Sequence, residues 1–118
     1  MNALLAKLPS ILAFLVGAMS IFAGGMVMRG WRPGYNILSW LPVYNFVVGL
    51  LTLIPAYLLW VGARYATAAS IIIFALHATI LILLLVVFRG QAASQSIGAM
   101  SFRVATWIVI LALLWFRR

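Results

Sequence analysis

Residues 66–88 read ATAASIIIFALHATILILLLVVF, a run with no charge, a single histidine (His77) at its centre and apolar side chains on every face. As a helix rising about 1.5 Å per residue it would be roughly 34 Å long, which matches a hydrocarbon core of about 30 Å. A core strand would be far shorter, and a buried helix of a water-soluble protein keeps a polar stripe. The stretch predicts a membrane span, and the rest of the chain has to be read around it.

The composition agrees. Of 118 residues 68% are hydrophobic, and the mean hydropathy is +1.25; neither a soluble core nor a disordered chain has such values. There is no cysteine, so neither a disulfide framework nor thiolate metal ligation is available. Lysine and arginine number 8, while aspartate and glutamate number 0. Without a carboxylate there is no acidic proton relay, no acid pair for glycoside hydrolysis, no Ser-His-Asp orienter and no ordinary Mg²⁺ or Ca²⁺ site. A non-catalytic protein without a metal is expected. The cations must meet anionic lipid headgroups, an anionic ligand or acids on another chain. Nucleic acid is disfavoured, because the basic residues are scattered singly between apolar runs.

Three more spans are predicted. The first runs over about 8–28, with Pro9 at an opening helical position and Arg29-Gly30 as its end; it is too long for a signal-peptide core and lacks a small-residue cleavage site. Residues 30–40 form the longest link. Trp31, Tyr35 and Trp40 suit the headgroup region, Arg32 suits phosphate, and Pro33-Gly34 suits a turn. The second span covers about 41–61, and Pro55 inside it predicts a kink that frees the Leu51 carbonyl, with Thr52 or a neighbouring helix as its partner. The fourth covers about 97–116 after a small uncharged link. The chain is therefore expected to be all-α, a single polytopic membrane domain built as a four-helix up-and-down bundle with short loops.

An even number of spans places both termini on one side, grouping Lys7, Arg64, Arg117 and Arg118 against Arg29, Arg32, Arg89 and Arg103. The terminal amine tips the balance toward cytoplasmic termini in a plasma or inner membrane. Arg29, Arg32, Arg64 and Arg89 sit at helix ends, where phosphate contact explains them. Tyr57, Trp60, Tyr65 and Trp115 fit interfacial belts. The repeat of Gly17-Ala18-Met19-Ser20 as Gly98-Ala99-Met100-Ser101 reads as coincidence in a chain this rich in small residues.

Small residues recur at helical spacing on three spans: Ala13, Gly17, Ser20 and Gly24 on the first; Asn45, Gly49, Thr52 and Ala56 on the second; Ser94, Gly98, Ser101 and Ala105 on the fourth. In lipid, helices associate by close backbone approach and interhelical hydrogen bonds, so these strips predict contact faces. Internal packing accounts for them, with the fourth span's strip the one best placed to meet another protein.

Two residues carry polar chemistry inside spans. His77 lies at mid-membrane, where desolvation penalises its charged form, so neutral imidazole is expected, hydrogen-bonded to Asn45, Thr52 or a backbone carbonyl. A haem or quinone beside it is the alternative, although the chain has no second histidine for bis-histidine ligation. Arg103 falls more than a turn inside the fourth span, with Trp107 on its face. It either snorkels to the headgroups or turns inward to hold an anion; an arginine held in hydrocarbon costs at least about 2.5 kcal/mol, so a partner is expected. Tyr44, Asn45 and Trp107 complete the candidates for ligand or partner contact. The leading expectation is an accessory subunit of a membrane complex. The alternatives are a homo-oligomeric transporter or channel for a neutral or anionic solute, or a lipid-, quinone- or haem-binding subunit around His77.

Overall fold

The computed structural model describes residues 3–30, 34 and 38–116. They form four helices and no strand: α1 (Ala3–Met28), α2 (Leu41–Val61), α3 (Ala66–Val86) and α4 (Ser94–Phe116). Each is long and apolar enough to cross a membrane, and the bundle measures 44 Å along its longest axis. Neighbours in sequence pack side by side, and α4 returns to α1, closing an up-and-down bundle. The expected loop residues Trp31, Arg32 and Tyr35, with Arg117 and Arg118, lie outside the described residues.

Large apolar side chains point outward on every helix, among them Phe22 (68% exposed), Ile72 (61%) and Val86 (68%). In water such a surface would aggregate; against acyl chains it costs nothing. Tyr57, Trp60, Tyr65 and Trp115 are all exposed, and the alternating helix directions gather them at the end of the bundle that carries both termini. Arg64 reaches over the Tyr65 ring there. Arg29 and Arg89 are exposed beside turns at the opposite end.

Two helix starts differ from the sequence expectation. α1 begins before Pro9, at Ala3, because neighbouring groups can tolerate a proline in a membrane helix where water could not be relied on. α4 begins at Ser94, so the small polar segment Ser94-Gln95-Ser96 is the first turn of the helix rather than a link. α3 stops at Val86, and residues 87–90 form the turn. α2 has the expected bounds and runs unbroken through Pro55. Its end is a Schellman turn: Gly62 takes φ +70°, Ala63 N–H donates to the Leu58 carbonyl at 2.9 Å and Gly62 N–H to that of Leu59 at 3.3 Å. A side chain would strain that left-handed residue, so the short α2–α3 link depends on glycine.

The tightest contact joins α1 to α2. A Cβ on Gly49 would lie 2.8 Å from the Ile21 backbone nitrogen and 3.0 Å from the Gly17 carbonyl, so the two backbones touch. Ala13, Gly17, Ser20 and Gly24 are all buried, as are Gly49, Thr52 and Ala56; the strips of the first two spans face each other. The Thr52 hydroxyl bonds the Val48 carbonyl at 2.6 Å, not that of Leu51. The fourth strip is different: Ser94, Gly98, Ser101 and Ala105 are all exposed, and nothing lies within 4 Å of a Cβ built on Gly98. The repeated Gly-Ala-Met-Ser therefore sits in opposite environments. Gly17 and Ser20 are inside with Met19 outside, whereas Met100 is inside with Gly98 and Ser101 outside.

Candidate functional site: a buried polar layer

Two apolar clusters fill the bundle, one at each end. Toward the turns that join α1 to α2 and α3 to α4, Leu41, Leu84 and Met100 pack together, and the Trp40 and Phe88 rings meet at 5.4 Å. Toward the termini, Val16, Val48, Ile73, Trp107, Ile110 and Leu114 form the larger cluster. Tyr44 packs against both. Between them the side chains are polar.

The helices place these groups by simple register. Tyr44 and Asn45 fall in the first turns of α2, His77 near the middle of α3 and Arg103 about 9 residues into α4, at roughly 1.5 Å per residue. Because α3 and α4 run in opposite directions, His77 and Arg103 come to similar depths. His77 is 2% exposed and Arg103 8%.

The Tyr44 hydroxyl and His77 Nδ1 share a hydrogen bond of 2.9 Å, and the two rings meet edge to face with centroids 5.8 Å apart. His77 thus finds its partner in Tyr44 rather than in Asn45 or Thr52. A phenol can serve either imidazole tautomer, as donor or as acceptor. Tyr44→Phe is expected to cost about 1 kcal/mol of stability and to move the His77 Nδ1 resonance in ¹⁵N NMR, whereas a change at Thr52 should leave that resonance in place.

Arg103 turns inward. Its guanidinium donates to the Asn45 Oδ1 at 2.7 Å, joining α4 to the diagonally placed α2. One turn further along α4, Trp107 is fully buried, and its indole Nε1 makes no hydrogen bond among the described residues. All five residues singled out for ligand or partner contact therefore belong to this layer or to its inner boundary. The remaining candidates lie elsewhere: the small-residue strips are helix contacts on α1 and α2 and exposed surface on α4, and Arg29, Arg64 and Arg89 are at the ends of the bundle.

The layer has a fixed positive charge, supplied by a guanidinium that stays protonated at any physiological pH. No side-chain carboxylate exists in the chain to pair with it, and the acceptor it meets in Asn45 is an uncharged amide. No group of three or more His, Cys, Asp or Glu residues that could hold a metal ion occurs among the described residues. A haem or quinone beside His77 would have to share the imidazole with Tyr44. Sequence reasoning passed over Lys7 as a contact residue: its ammonium donates to the Trp60 carbonyl at 2.6 Å and sits 4.3 Å from the centre of the Trp60 ring. Sequence position alone gave no signal for it, because Lys7 and Trp60 are brought together only by the antiparallel α1–α2 pairing. Comparison with protein-family models, with curated proteins and with solved structures finds no match, so function has to be argued from this layer and from the surface around it.

Proposed function

We propose that the protein is a non-catalytic subunit of a larger membrane assembly, held to a second membrane polypeptide through the outward strip of α4. The observation that carries this reading is the disparity among three similar strips. Those of α1 and α2 are consumed by each other, while Ser94, Gly98, Ser101 and Ala105 face outward. An independent observation is the Ser101 hydroxyl. Ser10, Ser20, Thr52, Ser70, Thr79 and Thr106 each donate to a backbone carbonyl; among the described residues Ser101, like Thr67 and Ser96, makes no side-chain hydrogen bond, and of these three only Ser101 lies on the outward strip of α4. Hydrocarbon offers no acceptor, so a neighbouring helix is its natural source.

The partner surface is a helix with small residues facing α4. Arg89, exposed beside the start of that strip, suits an acidic residue on the partner at headgroup depth, and the net charge of +8 suits acids or anionic lipids around the bundle. The termini are assigned to the cytoplasmic side of a plasma or inner membrane. With Arg103 inside the bundle, Lys7, Arg64, Arg117 and Arg118 stand against Arg29, Arg32 and Arg89, a wider margin than the sequence count. Reporter fusions at either end check this orientation.

Native mass spectrometry from mildly solubilised membranes tests the assembly. A complex larger than the 13.0 kDa chain is expected, and Gly98→Ile with Ser101→Leu should reduce it at least about tenfold, on the order of 1.4 kcal/mol, while leaving the monomer folded. A bare monomer in every mild detergent and in native lipid discs would remove the proposal.

A second reading, a homo-oligomeric transporter or channel for a neutral or anionic solute, is supported by Arg103 and His77 meeting in one layer. It requires a route past Leu41, Leu84 and Met100, and Pro55 lies about 10 residues further along α2, roughly 15 Å away. Liposome flux of an anion panel, abolished by Arg103→Ala, would support it, and absence of flux would end it. A Soret band lost in His77→Ala is the corresponding test for haem.

A further inference from the structure

At the end of the bundle that carries the termini, α1 and α2 leave a groove of about 420 Å³ between them, lined by Ser10, Phe14, Leu15, Leu53, Tyr57 and Trp60 among others. Ser10 gives its hydroxyl to the Ala56 carbonyl at 2.7 Å, so it presents no donor to the groove. The deep wall is Phe14, Leu15 and Leu53, and the outer wall is Trp60, one residue from the end of α2. The groove therefore runs from headgroup depth into acyl-chain depth.

Lys7 meets the groove's outer wall at Trp60. The Trp60 carbonyl belongs to the last turn of α2, where the helix dipole is negative, and the Trp60 ring adds a cation–π contact; together they hold the ammonium against Trp60, a lining residue of the groove. An ammonium has three donors, and the carbonyl engages one. An apolar slot with a positioned cation at its polar end is complementary to one class of molecule: an amphiphile with a chain and a negative head.

We infer that the groove holds one acyl chain of an anionic phospholipid, whose phosphate is bound by Lys7. The site is independent of the α4 surface, and its occupant is a lipid rather than a polypeptide.

The test uses the full chain in detergent, offered equal amounts of dioleoylphosphatidylglycerol and dioleoylphosphatidylcholine and read by native mass spectrometry. Retention of the anionic lipid should exceed that of the zwitterionic one by about fivefold, the effect of one lysine near a phosphate. Lys7→Gln should remove the preference, Lys7→Arg should keep it, and Leu15→Trp, which fills the slot from a half-exposed position, should lower retention of both lipids. Equal retention of the two lipids by the unmodified chain, a preference that survives Lys7→Gln, or retention indifferent to Leu15→Trp would each overturn the inference.

Discussion

Asn45→Leu is expected to destabilise the bundle by about 3 kcal/mol, more than any other single polar change. The substitution takes one acceptor, the Asn45 side-chain carbonyl, away from a guanidinium that is 8% exposed, and the loss of a charge-assisted hydrogen bond in a buried setting costs about 1.5–3 kcal/mol. Arg103→Met removes the charge itself, keeps a flexible apolar stem in the same space, and should cost no more than about 1 kcal/mol. The double variant should be nearly as stable as Arg103→Met alone, giving a coupling energy of about 2–3 kcal/mol. Equilibrium unfolding in mixed micelles measures all four proteins. Simple additivity would mean that the 2.7 Å contact contributes nothing to holding α2 and α4 together.

Gly49→Ala is the second large effect, expected at about 2 kcal/mol of destabilisation. The new methyl group would stand 2.8 Å from both the Ile21 backbone nitrogen and its Cγ1, and 3.0 Å from the Gly17 carbonyl. Two of those three neighbours are backbone, which cannot swing aside as a side-chain tip can, so the helices must separate. Forced overpacking of this kind costs about 1–3 kcal/mol, against which the gain from alanine's helix propensity is about 0.5–1 kcal/mol. Gly24→Ala should behave alike, its methyl falling on the Pro42 carbonyl and 2.7 Å from the Phe46 nitrogen. Gly98→Ala is the internal control. With nothing within 4 Å, it should leave monomer stability unchanged or slightly raised. Equal losses at Gly49 and Gly98 would show that α1 and α2 are not in backbone contact.

These two cases mark where sequence reasoning succeeds and where it stops. The number of spans could be read directly, because the length of an apolar run is set by bilayer thickness and needs no knowledge of neighbours. Pro9 misled at the first span because the rule that proline opens a helix comes largely from water-soluble proteins. The strips on α1, α2 and α4 have the same spacing, and sequence could not say that two are buried and one exposed. A helix in water betrays its inner face by its apolar side chains, whereas here large apolar side chains lie on the inner and outer faces alike. Arg103 could be marked as needing a partner from its depth alone. That the partner is Asn45, 58 residues away on the diagonal helix, depends on bundle geometry that no local pattern encodes. His77 and Tyr44 make the same point over 33 residues.

The backbone contact between α1 and α2 also bears on how the chain is made. Their seam needs nothing from the second half of the polypeptide: Ser10 reaches the Ala56 carbonyl, Lys7 reaches the Trp60 carbonyl, and the glycines mesh within the pair. The first hairpin can thus leave the insertion machinery already closed, while α3 and α4 are still being synthesised. In the finished bundle Asn45 of that first hairpin offers its side-chain oxygen to the arginine of α4.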